Sequence, residues 1–187
     1  MTNKVKLFTF LTILAVLALA CSQGTGAVVQ TPDPNQPESA PTEPAAGSNR
    51  TSPAPAGSVV LADQIEFEVL GYTRPATEIV ENAHIWNRKV ESGEEYIFVE
   101  LKINCTKPAE EKCALFLVNL KLVGSSGVER DVIWGIANVD GIIEQTDLYG
   151  GSTLTKIVPF IIDQGETDLI LVYQPPFGEK FYLAIGE

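Results

Sequence analysis

The amino-acid sequence predicts an all-β fold, an antiparallel β-sandwich of about seven to eight strands over residues 59–187. Three observations lead to this prediction. The apolar segments of this region are short and rich in β-branched or aromatic residues, which is typical of strands. Gly, Pro, Asn and Asp separate these segments. No apolar stretch of useful length follows the period of a helix, so the crossover helices of a parallel α/β fold are not expected.

The first predicted strands show the alternation of a half-buried sheet. Ile65, Phe67 and Val69 alternate with two glutamates, so one face of the first strand should pack in the core. Over residues 97–104 the odd positions carry Ile, Val, Leu and Ile and should also face the core, whereas the even positions carry Phe, Glu, Lys and Asn. Later strands are expected at residues 116–122, 128–134, 154–162, 169–173 and 181–185.

Turn residues separate the later strands. Residues 124–127 read Gly-Ser-Ser-Gly and form a tight connection, and residues 163–165 and 175–178 contain the Gly or Pro that ends two further strands. The Gly-Ser-Ser-Gly segment is one residue short of the Gly-x-Ser-x-Gly motif of serine hydrolases. We therefore interpret it as a turn and not as a nucleophile site.

The N-terminus has the charge order of a secretory signal peptide. Lys4 and Lys6 precede an uncharged, mostly apolar run from Leu7 to Ala20. This run is shorter than the ~20 apolar residues that a helix needs to cross a hydrocarbon core of ~30 Å. Residues 1–20 are therefore predicted to be a cleaved signal peptide and not a permanent transmembrane span.

The end of this run, Leu17-Ala18-Leu19-Ala20-Cys21, resembles the lipobox of bacterial lipoproteins, in which Leu is preferred where this chain has Ala18. The resemblance implies that Cys21 is acylated, with palmitate among the expected chains, and becomes the mature N-terminus. The diacylglyceryl group of this family supplies more than one acyl chain, as stable anchoring requires. Because Ser22 follows the cysteine, the resemblance implies the outer membrane in a two-membrane bacterium, and otherwise the outer face of the cell membrane.

Residues 21–58 are predicted to form a disordered tether that begins at the lipidated cysteine. Seven of the 12 prolines lie there, among Ala, Gly, Ser, Thr, Gln and Asn. So little apolar surface does not offset the entropy lost on ordering the chain. A flexible coil of this length spans roughly 30–37 Å, so the folded domain should stand clear of the lipid head groups.

The chain is acidic, with a formal net charge of −11 at pH 7. An acidic domain has no electrostatic footprint for nucleic acid and is repelled by anionic lipid surfaces. We therefore expect no nucleic-acid partner, and we expect the membrane to be reached through the lipid anchor alone.

Three stretches resemble the telokin-like immunoglobulin-fold domain of many bacterial lipoproteins. They are residues 92–104, which match a Gly-x-x-aromatic strand ending in Asn, residues 116–130 with a Gly turn, and residues 150–173 with a Gly-Gly turn and two strands. That family is of unknown function and is related to a secreted mycobacterial immunoprotective antigen. The resemblance implies an immunoglobulin-like sandwich and supplies no catalytic residues. Pro159 departs from the family pattern and suits an edge strand or a bulge.

Cys105 and Cys113 are the remaining thiols once Cys21 is acylated. An exported domain meets an oxidising compartment, so we predict a disulfide that closes the loop between consecutive strands. Cys113 does not share the core-facing parity of the strand after it, so the pairing requires a bend near Ala114. The spacing does not fit the Cys-x-x-Cys motif of a thioredoxin-type redox site.

The sequence contains no recognisable catalytic, metal or cofactor constellation. His84 is the sole histidine and is interpreted as solvated or packed. Residues 138–147 carry several carboxylate and amide groups of the kind that bind calcium, but their spacing is not that of an EF-hand. We interpret this segment as a solvated acidic loop, expect no cofactor, and do not predict an enzyme.

Aromatic residues supply the candidates for recognition. Trp86 and Tyr149 are candidate interaction residues, and Tyr72 and Phe177 join them if they lie in loops at the ends of the sandwich. Trp134 is instead expected to end a strand and to pack in the core.

These patterns together predict a membrane-anchored extracytoplasmic lipoprotein that displays a non-enzymatic binding module toward a protein or an envelope glycan. Two alternatives stay open. One is a structural or stress-related envelope component. The other is an envelope glycan hydrolase, which would need two carboxyls roughly 5 to 9.5 Å apart in a cleft.

Overall fold

The computed structural model describes residues 46–62, 64–115, 119–175 and 179–186. Every described residue belongs to one compact unit, Glu43–Glu187. The predicted signal peptide, Cys21 and most of the predicted tether lie outside the described residues. Within the described ranges no helix is long and apolar enough to span a membrane.

The described chain forms strands joined by turns, with one short helix. The helix α1 spans Thr77–Ala83. The strands are β1 Val59–Ala62, β2 Ile65–Thr73, β3 Glu94–Cys105, β4 Lys112–Ala114, β5 Asn119–Val123, β6 Glu129–Asp131, β7 Asp147–Tyr149, β8 Thr153–Asp163, β9 Ile170–Gln174 and β10 Phe181–Ala184.

Two four-stranded sheets form an antiparallel β-sandwich. One sheet has the order β1-β2-β3-β8 and the other the order β10-β9-β5-β6, while β4 and β7 pair as a separate ribbon. All pairings between these strands are antiparallel. The predicted fold class is thus confirmed. The ten described strands exceed the predicted number because the short strands β1, β4 and β7 were not predicted.

The core lies between the two sheets. Phe67 and Phe160 from one sheet meet Leu122, Leu171 and Tyr173 from the other, and all are almost fully buried. The ring centroids of Phe67 and Tyr173 are 4.5 Å apart. Each such side chain contributes about 1.5–3 kcal/mol on removal from water, so this cluster is the main source of stability.

Strand β3 is buried on both faces over its first half. The odd-numbered residues from Ile97 to Ile103, which were predicted to face the core, are fully buried. Tyr96 and Phe98 point to the opposite face and are also buried, because Ala76 and Val80 from the helix region pack over them. The second half of β3 alternates buried and exposed residues. A second, smaller apolar layer therefore covers one end of this sheet.

The free edge of β8 is capped by the loop of residues 132–146, here called the edge loop. The Ile133 amide donates to the Pro159 carbonyl (2.9 Å), the Ile143 amide donates to the Ile157 carbonyl (2.8 Å), and the Ile157 amide donates to the Gly141 carbonyl (2.8 Å). Pro159 has no amide hydrogen and lies on this edge strand, as its sequence context predicted. The edge is closed to pairing with another chain over the segment that the loop covers.

Residues 46–58, which we predicted to belong to the tether, fold against the sandwich. Ala54 is buried and pairs in parallel with Leu183 of β10, and its amide donates to the Tyr182 carbonyl (2.8 Å). The Arg50 guanidinium donates to the Gly124 carbonyl (3.0 Å). The folded region therefore begins before Val59, and the predicted boundary is wrong. The Pro-rich and Ala-rich composition of this segment did not indicate folding, because its pairing with the edge strand β10 uses backbone atoms and needs little apolar surface.

Candidate interaction surface

The disulfide joins the end of β3 to β4. Cys105 and Cys113 are bonded with an S–S distance of 2.07 Å and a Cα–Cα distance of 5.9 Å, and both are buried in the main core. The predicted pairing is confirmed. Cys113 does not need the core-facing parity of β5, because it lies on β4. Strand β4 pairs with β7 in the separate ribbon, so Cys113 faces the core independently of β5.

Tyr149 lies on that ribbon, next to the disulfide. Its side chain is 55% exposed, and the Lys112 ammonium lies 4.8 Å from its ring centroid. Tyr149 and Asp147 together raise the pKa of Lys112. The following Gly150 packs so closely on the Pro108 carbonyl oxygen that a Cβ there would collide with it. The Gly-Gly turn of the sequence resemblance therefore has a steric role at this end of the molecule.

Among the residues that the structure describes, the most exposed large apolar side chains occur just after helix α1. Ile85 is 83% exposed and Trp86 is 82% exposed, and Ile79 on the outer side of the helix is 48% exposed. Val80, on the opposite side of the helix, is fully buried over β3. The helix thus packs by one face, and the Ile85–Trp86 pair, here called the apolar turn, is directed to solvent.

Buried hydrogen bonds hold the apolar turn in place. Asn87 is only 7% exposed, and its amide group donates to the Val80 carbonyl (2.8 Å) and to the Ala137 carbonyl (3.0 Å). Its side-chain oxygen accepts from the Ala137 amide (2.8 Å). The Tyr96 hydroxyl donates to the Arg88 carbonyl (2.9 Å). The exposed pair therefore stands on a fixed backbone, which lowers the entropy lost on binding.

His84 is half-buried at the end of the helix. Its Nδ1 accepts a weak hydrogen bond from the Trp86 amide (3.3 Å). Among the residues that the structure describes, no three His, Cys, Asp or Glu side chains lie close enough together to hold a metal ion. His84 therefore has a local structural contact, and the acidic segment 138–147 has no carboxylate cluster of ligand geometry.

The edge loop encloses a groove of about 610 Å³. Trp134 lines this groove and is 44% exposed, so our expectation that it packs in the core is wrong. The reason is that β6 ends at Asp131, and Val132 takes the buried position instead. From Ile133 the chain crosses to the edge of β8, which carries Trp134 out of the sheet.

The structure brings the apolar turn and the edge loop together. Asn87 joins them through Ala137, and the Asn138 side chain donates to the Ala83 carbonyl (3.4 Å). The segments that carry the two tryptophans are therefore joined, and Val80 of the helix packs in one apolar cluster with Ile136 and Val139 of the edge loop. Ile85 and Asn87 were not predicted from the sequence. The adjacent apolar residues Ile85 and Trp86 within a polar stretch could have indicated an exposed apolar pair.

Tyr149 does not join this surface. The helix region is hydrogen-bonded to β3 at Tyr96, whereas the turn after Tyr149 is bonded at Cys105. These positions lie about 30 Å apart along an extended strand of ~3.3 Å per residue. Tyr72 is 36% exposed on β2, and Phe177 lies outside the described residues. The aromatic candidates thus divide between two ends of the sandwich.

No family model matches the chain, and no curated protein matches it. The secreted protein MPT63 of Mycobacterium tuberculosis has a similar solved structure, with 16% identity and a TM-score of 0.50, covering 72% of this chain and 97% of that one. The fold is shared with that protein. An uncharacterised β-sandwich protein of Clostridium difficile 630 has 13% identity and a TM-score of 0.47, with 71% and 94% covered. The yjhA protein of Bacillus subtilis has 14% identity and a TM-score of 0.47, with 70% and 98% covered.

Proposed function

We propose that this protein is an extracytoplasmic, lipid-anchored binding module without catalytic activity, which contacts a partner in the cell envelope through the apolar turn and the adjoining edge loop. One observation carries the proposal. Ile85 and Trp86 are each more than four-fifths exposed on a backbone that buried hydrogen bonds keep rigid. Exposed large apolar groups on a fixed turn are favourable for binding and unfavourable for the isolated domain.

The extracytoplasmic location has three independent supports. The lipobox-like segment ending at Cys21 supplies an anchor, the Cys105–Cys113 disulfide fits an oxidising compartment, and a protein with the same fold is described as secreted. The acidic net charge of −11 keeps the domain from lying flat on anionic lipid.

The anchor is tested by mass spectrometry of the mature protein and by fractionation of cells. We expect a lipid-modified Cys21 as the first residue, and we expect the Cys21→Ser variant to leave the membrane fraction. Any other mature N-terminus, or a Cys21→Ser variant that stays in the membrane fraction, would contradict the proposed anchor.

The binding surface is tested by photo-cross-linking in intact cells, with a photoreactive amino acid in place of Ile85. We expect one dominant adduct, whose yield falls when Trp86→Ser is added. Tyr149→Ser is the matched control, since Tyr149 is the other predicted interaction residue and lies at the far end of β3. The proposed role of this surface would be wrong if no adduct formed at position 85, or if the adduct yield were the same with and without Trp86→Ser.

A further inference from the structure

The groove under the edge loop differs chemically from the apolar turn beside it. It is lined by one exposed indole and by side chains that donate or accept hydrogen bonds. The groove is lined by Trp134, Asn138, Asp140, Glu144, Gln145 and Lys156, among others. All but Lys156, which is half-buried, are exposed, so a ligand reaches them from solvent. The volume of about 610 Å³ falls within the ~300–1,000 Å³ range of small-molecule sites.

We propose that this groove binds a neutral oligosaccharide, with one sugar ring stacked on the Trp134 indole and its hydroxyls hydrogen-bonded by edge-loop side chains. This inference rests on the proposed function, because it assigns a ligand class to the same layer of the molecule. The sugar is expected to lie in the groove and not on the apolar turn.

Stacking on Trp134 is favoured by the charge distribution of the two rings. The face of an indole carries partial negative charge, and aromatic faces attract groups with partial positive charge. The C–H groups on one face of a pyranose ring carry such partial positive charge. Trp134 is 44% exposed and lines the groove, so its ring is accessible to a ligand without displacing core residues.

The hydrogen-bonding groups around the indole match a ring of hydroxyls. The amides of Asn138 and Gln145 both donate and accept, the carboxylates of Asp140 and Glu144 accept, and the Lys156 ammonium donates. Each sugar hydroxyl also donates and accepts, so it can pair with either kind of group. A purely apolar ligand would desolvate them without compensation, at roughly 1–3 kcal/mol for each group.

Charge disfavours anionic ligands, and the lining does not form a metal site. Asp140 and Glu144 outnumber Lys156 in the groove, and the whole chain is strongly acidic, so anionic ligands are repelled. In the described part of the chain no group of three metal-ligating side chains is present to recruit a cation. A neutral, hydroxyl-rich ligand is the class that the groove favours.

The test uses the full chain in detergent micelles, titrated with chitohexaose, cellohexaose and, as an anionic comparison, oligogalacturonate. Calorimetry measures affinity, and intrinsic fluorescence reports the site because the chain has two tryptophans. Trp86→Phe leaves Trp134 as the sole indole, and Trp134→Ala leaves Trp86. Thermal unfolding of every variant checks that it is folded.

We expect at least one neutral oligosaccharide to bind saturably with a dissociation constant of about 1 mM or lower. In Trp86→Phe the emission comes from Trp134 alone and should shift to the blue on binding. Trp134→Ala should weaken binding by about tenfold or more, which corresponds to about 1.4 kcal/mol. Glu144→Ala is a second, exposed position at which we expect a loss, and Tyr149→Ala should bind as the unmodified protein does.

Three results would overturn the inference: no saturation by either neutral oligosaccharide up to roughly 10 mM, unchanged affinity in Trp134→Ala, or tighter binding of oligogalacturonate. If saccharides fail while the cross-link at position 85 depends on Trp86, the binding module stands and its ligand is not a sugar. If an oligosaccharide is bound and reducing ends accumulate, the sugar assignment stands and the non-enzymatic function falls.

Discussion

At the scale of single residues, Glu166 is a buried carboxylate held by several hydrogen bonds. It is 5% exposed, and its carboxylate accepts hydrogen bonds from the Ser126 hydroxyl, the Ser126 amide (3.1 Å) and the Ser125 hydroxyl (3.1 Å). The Gly127 amide donates to the Gly124 carbonyl (3.0 Å), which confirms the predicted turn. The two serines of the Gly-Ser-Ser-Gly segment therefore bind a carboxylate from a neighbouring loop.

Glu166 should make the stability of the domain depend on pH. Burial alone raises the pKa of its carboxyl, but the hydrogen bonds from Ser126 and Ser125, with Arg130 nearby, outweigh burial and lower the pKa. Since the pKa is lower in the folded state, the stabilisation is fully present above the unfolded value of about 4.3. It is lost as the pH falls through the lowered folded-state pKa.

We therefore expect Glu166→Gln to reduce the free energy of unfolding at pH 7 by about 1–3 kcal/mol, because charge-assisted hydrogen bonds are lost. The difference from the unmodified protein should shrink in acid. Urea unfolding between pH 3 and pH 7 measures both effects. Glu110→Gln, on an exposed loop, is the matched control and should behave as the unmodified protein. A constant difference across this pH range would contradict the assignment.

At the scale of elements, one buried side-chain amide, that of Asn87, links helix α1 to the edge loop. Removing the Asn87 side chain leaves the Ala137 amide and two carbonyls without their partner. We expect Asn87→Ala to lower the free energy of unfolding by about 2–3 kcal/mol, at about 1 kcal/mol for each bond. Hydrogen exchange of the Ala137 amide should also become faster.

Asn82→Ala is the control for this change, because Asn82 is exposed on the same helix. We expect it to alter stability by less than about 0.5 kcal/mol and to leave exchange at Ala137 unchanged. Equal exchange rates in Asn87→Ala and the unmodified protein would show that the helix and the edge loop do not depend on this side chain.

The disulfide stabilises the connection between β3 and β4. Closing a loop of sequence separation 8 restricts the unfolded chain by about 2.5 kcal/mol in the chain-entropy treatment. We expect the Cys105→Ala/Cys113→Ala double variant to lose about this amount. Thermal unfolding with and without reductant provides the measurement, since reductant should destabilise the unmodified protein and leave the double variant unaffected. Equal sensitivity of the two proteins to reductant would argue against this contribution.

At the scale of the whole molecule, the folded unit includes residues that the sequence placed in the tether. Three backbone hydrogen bonds join Gly47 and Ala54 to β10, and Arg50 reaches the Gly124 carbonyl. A protein that begins at residue 59 should therefore be less stable than one that begins at residue 46, by about 2–4 kcal/mol at ~1 kcal/mol for each bond.

This prediction is tested by measuring the thermal unfolding midpoints of the two shortened proteins and of the full chain. We expect the midpoint of the shorter protein to fall by at least about 5 °C, given the usual relation between free energy and midpoint for a domain of this size. The protein beginning at residue 46 should unfold at the same temperature as the full chain. Equal midpoints for the two shortened proteins would restore the boundary at residue 58.

The sequence by itself determined the antiparallel sandwich, the inward faces of β2 and β3, the disulfide and the edge position of Pro159. These features follow from the alternation of apolar and polar residues, from the spacing of the cysteines and from the lack of a backbone N–H in proline, which are local properties of the chain. Only the tertiary structure decided that helix α1 covers Phe98, that Trp134 leaves the core, and that residues 46–58 pair with β10. Those outcomes depend on contacts between distant segments through backbone atoms and single buried amides, which leave no periodic pattern in the sequence.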